Sequence, residues 1–104
     1  MIFKTAFISH VPDADPDEHC CQLETELYKL YVKLVSGQEE AISVCKNLVE
    51  DEGVHSIILC PGFTHEKIAE ISHAIGEDAG ISVARGDGPS SRIALQAMKK
   101  AGWF

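Results

Sequence analysis

Ser56-Ile57-Ile58-Leu59-Cys60-Pro61-Gly62-Phe63-Thr64 is the stretch that decides the fold. Ser56 to Cys60 is a short, mainly apolar run without a charge, as a central strand covered on both faces requires. Pro61-Gly62 stops that run, and the Thr64 hydroxyl is placed to cap a helix. In that helix Ile68, Ala69, Ile71, Ser72 and Ile75 recur at helical spacing before Gly76 ends it. A buried strand leading straight into a capped helix is half of a βαβ unit, so the neighbouring elements should be strands and helices in alternation.

The flanks supply that alternation. Ile2 to Ser9 is apolar with β-branched and aromatic residues and is halted by His10-Val11-Pro12 and an Asp-rich turn, which gives a first strand. Asp15-Pro16-Asp17-Glu18 reads as an N-cap, a proline in the first turn and a capping acid, predicting a short helix to about Thr25. Leu27 to Val35 alternates, with Tyr28, Leu30, Val32 and Leu34 on one face and Lys29 and Lys33 on the other, the pattern of an edge strand. Ser36-Gly37-Gln38-Glu39 reads as a capping box for a helix carrying Ala41, Ile42, Cys45, Leu48 and Val49 and closing at Gly53. Ile81 to Arg85 forms a fourth strand, ended by Gly86-Asp87-Gly88-Pro89. A last helix begins near Ser90 or Ser91, buries Ile93, Ala94, Ala97, Met98 and Ala101, and stops at Gly102. The expected fold is a small doubly wound, flavodoxin-like α/β domain spanning residues 1–104. It has a four-stranded, mainly parallel sheet in the order 2-1-3-4 and helices on both faces.

Length and composition agree with one such domain. The chain has 104 residues, 45% of them hydrophobic and 24% charged, an ordinary globular mixture. No apolar run reaches the roughly 18 residues of a membrane helix, and the start lacks a secretory pattern, so a cytoplasmic setting is expected. Cys20, Cys21, Cys45 and Cys60 include no Cys-x-x-Cys and read as free thiols. Nine basic against sixteen acidic residues leave a net charge of -7, which argues against nucleic acid and anionic membranes as partners. The acids gather between Asp13 and Glu26, and the final stretch carries Arg85, Arg92, Lys99 and Lys100 against Asp87 alone. The two groups are either solvated faces or a self-complementary contact between two copies in a homodimer.

In an open doubly wound sheet, ligands bind beyond the carboxyl ends of the strands, where successive crossovers leave in opposite directions. Here that point falls between the first and third strands, at His10 and at Cys60 to Phe63, with Arg85 to Gly88 on the fourth. Cys60 stands where the Thr64 helix begins and its unpaired N–H groups favour an anion. His10 or His65 could exchange a proton with its thiol, the arrangement that activates a cysteine. Gly62 would let the backbone approach a ligand, Phe63 and Thr64 would flank it, and Arg85 beside Asp87 could clamp an anionic metabolite. The structural alternatives are an inert core thiol at Cys60, turn glycines, and a surface Arg85–Asp87 pair.

No glycine-rich dinucleotide loop or Walker lysine loop is present, so no nucleotide cofactor is expected. The segment from His10 to Cys21 concentrates metal-ligating types. Asp13, Asp15, Asp17 and Glu24 mimic a calcium loop, but Glu18 stands where glycine is required. His19, Cys20 and Cys21 are consecutive and cannot all face one ion from a helix. No metal is expected. His55 and His73 read as solvated or capping groups, and Trp103-Phe104 as a core lid or dimer contact.

Lys4-x-Ala6-Phe7-Ile8, Ala14-Asp15-Pro16-x-x-His19, Leu59-Cys60-x-Gly62-Phe63-x-His65-Glu66 and Arg85-x-Asp87-Gly88 resemble a family of small prokaryotic proteins classed as a domain of unknown function. The resemblance covers most of the chain through Gly88 and is most specific at Cys-x-Gly-Phe-x-His-Glu. Pro61 departs from the small residue expected there, and the tail after Gly88 finds no counterpart. The resemblance implies a fold and a prokaryotic cytoplasmic setting, without an activity. Two readings follow. One is a small-molecule site of the kind a lyase, isomerase or thiol hydrolase uses, in which Cys60 is nucleophile or proton carrier, His10 or His65 its base, and Arg85 the anion clamp. The other is a non-enzymatic sensing or structural homo-oligomer that packs Trp103, Phe104 or the Leu27 to Val35 edge against its own mate.

Overall fold

The computed structural model describes all residues 1–104. In chain order the elements are β1 (Phe3–His10), β2 (Cys20–Glu24), β3 (Tyr28–Val35), α1 (Gln38–Glu50), β4 (Ser56–Leu59), α2 (His65–Ile75), β5 (Gly80–Val83) and α3 (Gly88–Lys100). The strands form one mixed sheet in the order β2-β3-β1-β4-β5. All neighbours run parallel except β2 and β3. The α/β class stands, whereas the strand count and order differ from the expected four strands in 2-1-3-4.

The difference arises between Asp13 and Glu24. Asp15 starts a single turn: its Oδ1 accepts the Asp17 N–H at 2.9 Å, its carbonyl accepts the His19 N–H at 2.7 Å, and its own N–H donates to His19 Nδ1 at 2.9 Å. With the aspartate and imidazole satisfied inside that turn, the chain leaves the helical path and Cys20–Glu24 pairs antiparallel with β3. The same residues that open a helix also open a turn, and the long-range ladder decides between them. The hairpin closes through Thr25, whose Oγ1 accepts the N–H groups of Leu27 at 3.2 Å and Tyr28 at 3.1 Å. β3 is therefore interior, flanked by β1 and β2, and not the edge strand its lysines suggested. Lys29 instead faces Glu24 across the hairpin, Nζ to Oε1 3.5 Å.

Two further corrections concern the helices. The α1 cap is Gly37, not Ser36, and the reaching acid is Glu40, not Glu39. Ser36 donates to Glu40 Oε1 from its N–H at 2.8 Å and its hydroxyl at 2.9 Å. The helices also do not cover both faces. α1 and α2 pack together, and Ala41, Cys45, Leu48, Ile71 and Ile75 join Ala6, Ile8, Tyr31, Val35, Ile57 and Leu59 in one core. All six strand residues point to a single side of the sheet, as the register Ala6↔Tyr31, Ala6↔Ile57 and Ile8↔Leu59 requires. α3 buries no residue at all. It does not form a second layer, and the remaining sheet face is open.

Candidate functional site

Parallel pairing of β1 with β4 brings His10 and Cys60 together at the carboxyl edge. The Cys60 N–H continues the ladder to the Ile8 carbonyl at 3.0 Å. The His10 N–H in turn donates to Cys60 Sγ at 3.3 Å. The thiol is 8% exposed and faces a cavity of about 620 Å³. His10 and Gly62 share that wall: a Cβ on Gly62 would stand 3.5 Å from Cys60 Sγ and 3.9 Å from His10 Cβ. The His10 ring lies edge-on to Phe63, centroids 5.9 Å apart, so the imidazole is held by an aromatic neighbour and does not hydrogen-bond to the thiol.

The opposite wall is α3. Ser91, Ala94, Leu95 and Met98 line the cavity, and their positions i, i+3, i+4 and i+7 lie on one face of a helix. Of the stripe expected to enter the core, only Ala94 and Met98 face this cavity, and Ala97 and Ala101 are exposed away from its wall. Ile93 has turned to solvent, 67% exposed. Gly86 permits this placement: a Cβ there would fall 2.7 Å from Ser91 Oγ and 3.8 Å from Pro61 Cβ, so the β5–α3 connection passes close against both.

Trp103 and Phe104 close one end. Gly102, at φ +88°, ends α3 in a left-handed turn. Its N–H bonds the Lys99 carbonyl at 3.2 Å and the Trp103 N–H bonds the Met98 carbonyl at 3.0 Å. This Schellman arrangement folds the indole back beside Met98.

Not every residue singled out in the sequence enters the cavity. Phe63 is buried in the core, 6% exposed, and reaches the site only through the His10 ring. Thr64 caps α2, its Oγ1 accepting the Lys67 N–H at 3.3 Å, which takes up one of the N–H groups at the helix terminus that was to bind an anion. His65 is exposed in the first turn of α2 and is not on the cavity wall. Arg85 pairs with Asp87 at 3.0 Å in solvent, also off the wall. The α3 amino terminus has no side-chain cap hydrogen bond, but its N-cap residue is the acid Asp87 and Pro89 in its first turn lacks an N–H. Ser91 alone of its first residues borders the cavity, and with the Ser91 N–H donated to the Asp87 carbonyl it is the Ser91 side chain that α3 adds to the wall as a polar group. The sequence signal for the missed wall was the Ser91, Ala94, Leu95, Met98 spacing.

A second, shallower space of about 440 Å³ lies between the Asp15-Pro16-Asp17 turn and α1, lined by Lys33, Glu40, Ser43 and Asn47 among others. No three His, Cys, Asp or Glu side chains in the chain converge on one point, so the acidic turn and His19, Cys20 and Cys21 do not form a metal-ligand cluster. No helix is long and apolar enough to cross a membrane.

A mixed, mainly parallel sheet, helices on one face and a roofed cavity at the carboxyl edge define a small α/β protein with one apolar site. The chain belongs to the family of unknown function DUF6506, which it matches over residues 3–99. The match runs beyond Gly88 and takes in nearly all of α3, the helix that had no counterpart in the resemblance. No curated protein and no solved structure matches the chain.

Proposed function

We propose that this protein binds a small amphipathic metabolite, its apolar body against Leu95, Met98, Trp103 and Phe104 and its polar or anionic head toward His10 and Ser91. The carrying observation is the cavity itself. Its size, about 620 Å³, suits a small metabolite. Its wall is mainly apolar, with His10, Cys60 and Ser91 supplying the polar groups. Arg85 is paired with Asp87 and stands in solvent, so in this reading the head group meets the Ser91 side chain and the His10 imidazole and not a guanidinium clamp.

Binding is favoured over thiol catalysis because the hydrogen bond to Cys60 Sγ comes from a backbone N–H and the two histidines proposed as bases do not hydrogen-bond to it. Trp103 is the sole tryptophan, which makes its emission a direct reporter. Octanoate and octanol, titrated separately, are expected to change that emission saturably, octanoate at the lower concentration. Ala94→Phe, which projects a ring from the exposed side of α3 into the cavity, should abolish both responses while leaving the core intact. No saturable response to either probe, or an equal response in the filled variant, would sink the reading.

A further inference from the structure

The open face of the sheet carries no charge. Reading the register across the five strands, the side chains opposite the core are Cys21 and Leu23 on β2, then Tyr28, Leu30, Val32 and Leu34 on β3. They continue with Phe3, Thr5, Phe7 and Ser9 on β1, Ser56 and Ile58 on β4, and Gly80 and Ser82 on β5. An antiparallel or mixed sheet that meets water on one face normally carries charged and polar residues there. In this molecule the lysines and acids of β2 and β3, namely Glu24, Lys29 and Lys33, all project on the helix side. Phe3 and Leu23 are 52% and 65% exposed on the open side.

The surface area points the same way. The chain exposes 6841 Å², whereas a compact monomer of 11.3 kDa exposes about 5,700 Å². The excess, about 1,100 Å², is shared between this face and the exposed α3, and is of the size of the roughly 800 Å² that each partner contributes to a standard stable interface.

We infer that this face is where two copies of the chain meet, sheet against sheet, in a symmetric dimer. An uncharged, aromatic and β-branched face is self-complementary, because stacking it on its twin requires no matching charge and juxtaposes no like charges despite the net charge of -7. The chain's own α3 does not cover the face, since its inward side is turned to the carboxyl-edge cavity. The dimer goes beyond the ligand reading and does not depend on it.

Sedimentation equilibrium at roughly tens of micromolar tests the inference, because dimer formation follows mass action. The expected species is twice the 11.3 kDa protomer mass. Val32→Lys and Leu23→Lys each place a charge on the open face without touching the core, and each is expected to weaken the dimer by about a hundredfold. Ile93→Lys removes an equally exposed apolar side chain from α3 and should leave the mass unchanged. Leu23 is two-thirds exposed in the lone chain, so that variant reports even where Val32→Lys folds poorly. A monomeric wild type overturns the inference. So does a dimer that survives Leu23→Lys, or one that Ile93→Lys dissociates.

Discussion

Cys45 and Cys60 are both buried, yet their surroundings differ in kind. Cys45 is fully enclosed between α1 and the sheet, and burial pushes its thiol from an ordinary 9.0 up to about 12. The folded state therefore holds a proton that the unfolded chain gives up, so this contribution is complete below pH 9 and is lost as pH rises toward 12. Its ceiling is about 4 kcal/mol. The stability advantage of the wild type over Cys45→Ala, measured by urea unfolding, should shrink between pH 8 and pH 10.5, and a constant gap would contradict the burial argument. Cys60 instead borders open space and accepts a backbone N–H. Its position was legible in the sequence because a strand that ends before Pro61-Gly62 leaves its last side chain at the carboxyl edge. The places read for His65, Arg85 and Asp87 followed from the carboxyl ends of the third and fourth strands, whereas their side chains' directions had no sequence signal: the first turn of α2 and the Arg85–Asp87 pair both face solvent.

Among the elements, β4, α2 and α1 were the most legible, because each has an unambiguous period and a capping signal close at hand. β2 was not, since Asp15-Pro16-Asp17 starts a turn as readily as a helix and only pairing with β3 settles which. α3 was legible as a helix, but no periodicity can tell whether its apolar side meets other side chains or a cavity. The closure of that cavity depends on one backbone conformation, the left-handed turn at Gly102 that returns Trp103 to Met98. Gly102→Ala is expected to cost about 1 kcal/mol and to release the indole. The check is Trp103 emission, which should move to longer wavelength in the variant. An unchanged spectrum would mean that the Schellman turn does not position the lid.

At the scale of the whole molecule, the chain is more extended than its length requires, with a radius of gyration of 14.1 Å against about 13 Å for a compact domain of this size. One helical layer, one open sheet face and a helix held off the strand ends account for that extension. The sequence pattern of alternating strands and helices predicted two covered faces, and the missing layer was visible only once α3 was placed over the carboxyl edge. The central claim is that this edge holds a ligand, and the alkylation rate of Cys60 by iodoacetamide tests it most directly. With octanoate at ten times its dissociation constant, Cys60 should react about tenfold more slowly while the exposed Cys20 and Cys21 keep their rates. An unchanged Cys60 rate under the octanoate concentration that saturates the Trp103 response would place the bound molecule elsewhere and contradict the account.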